Sequence, residues 1–454
     1  MKLGETFERF LQEAPISVMF RVLLERALDP LELDRLFERE ATSQYTRELL
    51  FSTLVDLMAT VVFGVKPSIR AAYLHSWGEI LTSLTAVYDK LQGVEPGLCR
   101  ALVCDTSRRL APLVDQPNAV LPSPVPGYRV KILDGNHLAG TEHRVPQTRT
   151  TRAAALPGQA LVVLDPATML VIDVVPCEDA HAQERSLVVH VLPGVKPGDL
   201  WIADRNFCTT RMLFGVRAGG GNFLIRQHKS TLFWKEATDW ANAGQVATGM
   251  VSEQTIWVSE TEGGPAVELR RIRLKLDRPT RSQDNELYLV TNVPKSRAKA
   301  TRLAEAYRDR WTLENVFQTL TEALRCEIDT LAYPKAALFG FCVALVAYNV
   351  LATVRAALRA EHGSKIVETK VSNWYLAEEV SSTYKGMMIA LPPEEWERFG
   401  RLTDQEMKEF LGEVASQACL AKYPKATRGP KKPQPKKTSG RRNHHVATAR
   451  LLDQ

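Results

Sequence analysis

The chain has 454 residues, of which 45% are hydrophobic and 24% are charged, and its formal net charge is +6. This length and composition are those of a globular protein with two or three domains. Its seven cysteines are scattered and never spaced as C-x-x-C, which argues against a disulfide framework or a zinc site and favours a reducing cytoplasm.

The first 120 residues predict an all-helical N-terminal domain. Apolar residues recur there at three- and four-residue spacing in five segments, and strand signals are few. The opening residues, MKLGETFERFLQEAP, carry charges throughout and lack the apolar core of a signal peptide. A proline-rich loop, LPSPVPG at residues 121–127, then marks a boundary.

Strand patterns begin directly after this loop. Asp134 ends the run YRVKILD, and Asp204 ends the run DLWIAD. Between them, GQALVVLD and MLVIDVVP predict a β-hairpin that a helical stretch follows. We therefore expect an α/β fold, a mixed sheet with flanking helices, in which both aspartates lie at strand ends. Aspartates at strand ends are also common turn formers, so each one alone has a structural explanation.

From about residue 229 to 285, alternating patterns predict an all-β insertion, after which the strand ELYLVTNVP returns to the core. We assign residues 126–420 to this core. Residues 336–354 contain no charge and approach membrane-spanning length, but Tyr348, Asn349 and Thr353 interrupt the apolar run. We predict a buried helix here and no membrane span.

The segment YRDRWTLENVF, residues 307–317, predicts a helix with a polar stripe. Tyr307, Arg310 and Glu314 share one helical face, because they are spaced by three and then four residues. The structural explanation of the stripe is an ion pair between Arg310 and Glu314. The functional explanation is that Arg310 and Tyr307 bind phosphates, since the arginine fork binds phosphate oxygens bidentately.

Two strand-borne carboxylates followed by one on a helix resemble the acidic triad of DDE transposases. Asp134, Asp204 and Glu314 have the order of that triad, and the Tyr-Arg-Glu spacing is similar to the helix signature of the insertion-sequence-four group of bacterial cut-and-paste transposases. The context ADRNF around Asp204 resembles the second acidic motif of the group, although Asn206 stands where glycine is usual. The resemblance covers roughly residues 128–358. It implies a ribonuclease H-like core with a β-rich insertion.

The resemblance also implies a chemistry. Asp134, Asp204 and Glu314 would be catalytic residues that bind two Mg²⁺ ions, for which Mn²⁺ can substitute, and such a pair clamps the attacking and leaving oxygens of a phosphoryl transfer. The expected reaction is cleavage of DNA at the element ends, by way of a hairpin, followed by strand transfer. Expected partners are double-stranded DNA (terminal inverted repeats and a target) and a second copy of the chain. The expected location is the bacterial cytoplasm, at the nucleoid.

Two more positions are assigned to DNA contacts by the resemblance. The helix signature ends with a lysine seven residues after the glutamate, but Thr321 occupies that place here. Arg325 lies one turn further along the same face, and we expect it to supply the missing charge. Tyr288, in ELYLVTNVP, is the nearest match to the aromatic residue on which the family stacks a flipped base.

The two ends of the chain have expected roles in DNA binding. The N-terminal helical domain would recognise DNA ends, since a helix enters the major groove, or would serve as a scaffold for dimerisation. From Lys422 onward there are ten Lys or Arg and one acid, Asp453. Residues 421–454 therefore predict a disordered basic tail that attracts polyanions.

Two other functions are compatible with the same sequence: a Mg²⁺-dependent nuclease without strand transfer, or an inactive DNA-binding copy.

Overall fold

A computed structural model describes residues 4–45, 48–76, 78–138, 158–179, 182–228, 230–280 and 283–322, the positions 324, 326, 328 and 331, and residues 333–426. Helices precede and follow a mixed β-sheet in this part of the chain. The predicted α/β class is therefore confirmed.

The helical N-terminal region agrees with the prediction from apolar spacing. Local sequence fixes several helix starts: Asp29 accepts the N–H of Glu32 while Pro30 occupies the first helical position, and Ser68 and Ser83 cap two later helices in the same way. The helices are α1 (Glu5–Glu13), α2 (Pro15–Ala27), α3 (Pro30–Glu40), α4 (Phe51–Val62), α5 (Ile69–His75), α6 (Leu84–Gly93) and α7 (Pro96–Val114).

The sheet has ten strands within the described residues. They are β1 (Arg129–His137), β2 (Gln159–Asp165), β3 (Leu170–Cys177), β4 (Asp199–Ala203), β5 (Asn222–Arg226), β6 (Phe233–Glu236), β7 (Ala241–Val246), β8 (Gly249–Ser259), β9 (Ala266–Leu276) and β10 (Glu286–Thr291). Their order is β3-β2-β1-β4-β5-β10-β9-β8-β6, and β7 also pairs with β8. Strands β1, β4 and β5 are parallel, whereas the other described pairs are antiparallel.

The β-rich insertion extends the main sheet. Strands β6 to β9 fall in the predicted all-β segment, between β5 and β10 in the chain. Because β10 pairs with both β5 and β9, the inserted strands continue the hydrogen-bonded ladder that begins at β3. The insertion therefore belongs to the same hydrogen-bonded sheet as β1 and β4.

After β10 the described chain is mainly helical. The sequence predicts a single helix through residues 307–317, and this prediction is wrong. The structure has two helices there, with a break between them. In the break, the N–H groups of Asp309 and Arg310 bond to the carbonyls of Ala306 and Tyr307, which is three-residue spacing. The helices are α9 (Ala300–Arg308), α10 (Trp311–Glu322), α11 (Pro334–His362), α12 (Ser364–Lys370), α13 (Asn373–Ala390), α14 (Glu394–Gly400) and α15 (Asp404–Gln417).

Alternate residues of the central strands face two different cores. Ile132 of β1 and Ile202 of β4 lie in the larger core, with the helices α7, α10 and α11. Leu133 and Ala203 lie in a smaller core on the opposite face, which is covered by the 3₁₀ helix Glu184–His190 and by α8 (Thr210–Ala218). The period of two along each strand thus determines which residues can meet the helix pair α9 and α10.

Helix α11 lies at the centre of the larger core. It is long and apolar enough to cross a membrane, but its most apolar window is completely buried in protein, as predicted for residues 336–354. It packs against α2, α4 and α7 from the N-terminal region and against α15. The loop at residues 121–127 therefore separates two kinds of secondary structure that share one core.

Part of the predicted basic tail is packed. Tyr423 is buried, and Pro424 forms a β-bridge with Val371. The boundary predicted at residue 421 thus lies too early, and residues 427–454 lie outside the described part of the chain.

Asn349 of α11 satisfies the outer edge of strand β3. Its buried side chain accepts the N–H of Val171 at 2.8 Å and donates to the carbonyl of the same residue at 2.9 Å. We predict that Asn349→Ala lowers the free energy of unfolding by about 2–5 kcal/mol, because two backbone groups lose their partners inside the core. Urea denaturation followed by circular dichroism measures this change.

A matched control lies one helical turn away. Thr353 is equally buried and donates only to the carbonyl of Asn349 within its own helix. Thr353→Val removes that bond and leaves β3 untouched, so its cost should be about 1 kcal/mol or less. Equal losses for the two variants would contradict the edge-satisfaction role of Asn349.

Candidate functional site

The parallel pairing of β1 with β4 places two aspartates side by side. The last paired residues are Leu133 and Ala203, so Asp134 and Asp204 are the next residues on neighbouring strands. Strands in a sheet are about 4.8 Å apart. Both aspartates continue the face of Ile132 and Ile202, which is the face covered by α10 and α11.

The two aspartates are held differently. Asp204 follows β4, as predicted, and its Oδ1 accepts the N–H of Asn206 at 2.7 Å, which caps the 3₁₀ helix Arg205–Phe207. Asp134 was predicted at a strand end, but β1 continues to His137 because residues beyond Asp134 pair with β2. Asp134 therefore lies at the end of the parallel pairing, inside an antiparallel one.

The break between α9 and α10 brings the polar stripe, Tyr307, Arg310 and Glu314, to the two aspartates. Tyr307 is buried in the last turn of α9, and Glu314 lies in the first turn of α10. Burial raises the pKa of Tyr307 to about 12, while Arg310 opposes this effect. Tyr307 is therefore a neutral hydroxyl at physiological pH, and it lies beside the guanidinium.

Arg310 connects the sheet to the helix. Its Nη1 is 2.6 Å from Oδ2 of Asp134, and its Nη2 is 3.0 Å from Oε1 of Glu314. Only 12% of the Arg310 side chain is exposed. The pairing with Glu314 is the structural explanation that the sequence offers for the stripe, whereas the pairing with Asp134 joins residues 176 positions apart and has no local signal.

Asp134 lies in an environment that disfavours the charged form of its carboxyl group. Burial raises the pKa of Asp134 to about 7, although Arg310 lowers it, and the charges of Asp204 and Glu184 raise it further. A carboxyl group in this state is destabilised when it ionises. A bound cation would remove that penalty.

The acidic residues have the chemistry of a site for hard cations. Carboxylate oxygens are the preferred protein ligands of Mg²⁺ and Mn²⁺, and at Asp134 the attraction of Arg310 does not outweigh the effect of burial on the pKa. As the described residues are placed, no three acidic, His or Cys side chains already form a ligand set. Arg310 lies between Asp134 and Glu314, so a cation held by both carboxylates would require this side chain to move.

Glu184 is a fourth acid that the sequence did not identify. Its side chain contacts β1 at Gly135, where an added Cβ would lie 2.4 Å from Oε1 of Glu184. Asn206 also donates from Nδ2 to Oε2 of Glu184 at 3.4 Å. Glu184 therefore contacts the residue after Asp134 and the second residue after Asp204. Its position within a predicted helical stretch gave no indication of this proximity.

A cavity of about 510 Å³ adjoins Glu184 and Asn206, and it carries several basic side chains. Four of the lining residues are His137, Arg185, Arg205 and His228.

Trp311, on the helix side, is 53% exposed, and its ring centroid is 5.6 Å from the Arg310 guanidinium carbon. A large exposed aromatic beside a buried charge cluster is a surface on which a base can stack.

Tyr288 lies away from the aspartate face. Strand β10 is three positions from β1 in the sheet, and Leu289 of this strand faces the larger core, so the neighbouring Tyr288 faces the opposite side. There the guanidinium carbon of Arg271 lies 4.5 Å from the Tyr288 ring centroid and 4.4 Å from the Trp234 ring centroid.

The side chain of Thr321 and all of Arg325 lie outside the described residues.

Comparison with known proteins gives a family match over the sheet region of the chain. Residues 126–350, almost half of the chain, match the family model of the transposase DDE domain. This match supports a DDE transposase, and the architecture is consistent with a ribonuclease H-like transposase fold. The DDE transposase family consists of DNA-binding, metal-dependent enzymes that cleave nucleic acid. A search of curated proteins gave no match.

The raised pKa of Asp134 makes metal-free stability depend on pH. Because the pKa in the folded chain is about 7 and the ordinary value is 3.8, stability contributed by the protonated group is lost as the pH rises through this interval. In EDTA we expect the free energy of unfolding to fall between pH 5 and pH 8 by about 2–3 kcal/mol more in the wild type than in Asp134→Asn.

Urea titrations at both pH values measure this difference. Other buried acids also titrate, so the comparison of the two proteins isolates Asp134. A wild type and a variant with the same pH dependence would contradict the raised pKa of Asp134.

Proposed function

We propose that this protein is a cut-and-paste DDE transposase of the insertion-sequence-four group. It would cleave DNA at the ends of its element and join those ends to target DNA, with two Mg²⁺ ions that Mn²⁺ can replace. The observation that carries the proposal is the convergence of Asp134, Asp204, Arg310 and Glu314, from two parallel strands and a broken helix, at one sheet edge.

The proposed roles follow from the position of each side chain. Asp134, Asp204 and Glu314 would hold the cations, which when bound activate a water nucleophile and stabilise the leaving 3′ oxygen. Arg310 and the neutral hydroxyl of Tyr307 would bind phosphate oxygens next to the scissile bond. The freed 3′ hydroxyl then serves as the next nucleophile, first on the opposite strand and later on the target.

A hairpin intermediate requires a sharply bent strand, and a base stacked on protein would relieve its strain. The sequence favours Tyr288 for this role. Trp311 is better placed to reach a base near the acidic residues, because it is exposed and directly follows Arg310. Tyr288 would instead contact DNA together with Arg271 and Trp240, on the opposite face.

The remaining proposed contacts lie further from the carboxylates. Arg325 would replace the lysine that the family has at the position of Thr321. The N-terminal helices would serve DNA-end recognition or dimerisation, and their extensive packing on α11 supports the scaffold role. The basic residues from Lys422 onward would attract the DNA backbone, and a homodimer on DNA would supply one active site for each end.

The central test is cleavage of a labelled duplex that carries the DNA flanking the coding region. Asp204→Asn removes a charge and keeps the size of the side chain. We expect wild-type protein with Mg²⁺ to cut at the element boundary, and the variant to lose at least about 10³-fold in rate, as when a major transition-state interaction is removed. Asp277→Asn, on an exposed loop after β9, is a matched control and should cleave normally.

Gel analysis of the products distinguishes related functions. Cleavage without hairpins or joined products would indicate a metal-dependent nuclease. Binding without cleavage by the wild type would indicate an inactive copy. Equal cleavage by wild type and Asp204→Asn would contradict the proposed site.

The aromatic assignment has a separate test. We predict that Trp311→Ala reduces hairpin formation by about 10-fold or more, because base–aromatic stacking contributes about 1–3 kcal/mol. First-strand nicking should change by less than about threefold, since the carboxylates remain in place. Tyr288→Ala should lower nicking and hairpin formation to the same extent, because it would weaken a DNA contact on the opposite face without affecting the stacked base. Loss of hairpins in Tyr288→Ala alone would contradict the assignment to Trp311.

A further inference from the structure

Arg310 occupies the position in which a cation would be needed. One guanidinium neutralises carboxylates from both the sheet and the helix, at 2.6 Å and 3.0 Å. Asp204, in contrast, forms no salt bridge within the described chain, and its Oδ1 accepts a backbone N–H. Two of the three carboxylates therefore already have a counter-ion that belongs to the protein.

A divalent cation must compete with this counter-ion. The side chains of Arg310 and Asp134 are 12% and 15% exposed, so their attraction is stronger than in water, and Asp134 incurs a desolvation penalty if it gives up its partner. Glu314, which is 40% exposed, loses less. A cation that binds Asp134 and Glu314 gains their negative charge only if Arg310 leaves. If Arg310 left without a new anionic partner, its buried positive charge would be unpaired.

A second observation indicates which kind of group can pair with Arg310 after it leaves the carboxylates. Its Nε is buried and has no hydrogen-bond acceptor among the described residues, although a guanidinium can donate five hydrogen bonds. Arg310 also lies in the break between α9 and α10, and its guanidinium is close to the exposed ring of Trp311. A phosphate oxygen is the acceptor that this fork binds most readily.

We propose that Arg310 is an exchangeable counter-ion: it pairs with Asp134 and Glu314 in the free protein and transfers to a DNA phosphate when substrate binds. Cations then enter the carboxylate site together with DNA. This inference rests on the proposed function, and it concerns the regulation of the same site. No covalent step is involved.

The exchange makes the binding of metal and DNA mutually favourable. If DNA raises cation affinity by a given factor, the cation raises DNA affinity by the same factor, since the two equilibria are linked. Free protein would carry little metal at the site, and hydrolysis would begin only after a phosphate backbone has displaced Arg310. The device thus limits cleavage to bound substrate.

The experiment measures Mn²⁺ binding by electron paramagnetic resonance, for wild type and Arg310→Gln, with and without the flanking-DNA duplex. Mn²⁺ bound by the duplex alone is subtracted. Without DNA, we expect Arg310→Gln to bind Mn²⁺ at least 10-fold more tightly than wild type, as expected when a competing counter-ion is removed. DNA should raise wild-type affinity at least fivefold and change the variant by less than twofold.

Two further variants keep the test decisive. Arg308→Gln removes an exposed positive charge two residues away, and its Mn²⁺ affinity should remain within about twofold of wild type. Arg310→Lys keeps the charge but cannot form the fork, so it should bind Mn²⁺ with intermediate affinity. It also provides the comparison if Arg310→Gln unfolds, which thermal melting would reveal.

The contrary outcomes are specific. An Arg310 variant that binds Mn²⁺ no more tightly than wild type, or a wild-type affinity unaffected by DNA, would overturn the exchange. Cleavage by the wild type is measured separately with the labelled duplex. A wild type that cleaves but shows no coupling contradicts this inference alone, whereas a wild type that never cleaves contradicts the proposed function.

Discussion

The parallel register between β1 and β4 is the constraint on which the candidate site depends. Because Leu133 pairs with Ala203, Asp134 and Asp204 become neighbours although 70 residues separate them in the chain. A shift of one residue in either strand would turn its aspartate to the opposite face. The apolar residues before each aspartate are buried in two cores, so both faces of the strands are held in place.

The helices complete the arrangement from one side. Helix α11 anchors the N-terminal helices, the C-terminal helices and the edge strand β3 in a common core. Against this scaffold, α9 and α10 meet at a break that directs Arg310 toward Asp134. The cluster carries more negative than positive charge, and this imbalance has a functional meaning in a protein whose core region matches a metal-dependent family.

Much of the fold and the identity of the central acids could be predicted from sequence. Alternating apolar residues identified β1, β4 and the hairpin, and the spacing of Tyr307, Arg310 and Glu314 marked the third acid. The break after α9 could not be predicted, because helical periodicity continues through it and tertiary packing selects the tighter turn. The Arg310–Asp134 pair and the proximity of Glu184 arise from register and chain crossing, which a local pattern does not encode. The position of Tyr288 in a motif assigns it to base stacking, but the side of the sheet on which its ring lies depends on how β10 pairs with β5 and β9.

The central claim is that Asp134 and Asp204 meet at a cation site that includes Glu314 when substrate is bound. Iron-directed cleavage of the polypeptide tests it directly: Fe²⁺ replaces Mg²⁺, and ascorbate with peroxide cuts the backbone near the bound metal. The account predicts cuts next to Asp134, Asp204 and Glu314 when DNA is present, much weaker cutting at these positions without DNA, and loss of all three cuts with excess Mg²⁺. Cuts elsewhere, or cuts that Mg²⁺ does not suppress, would contradict it.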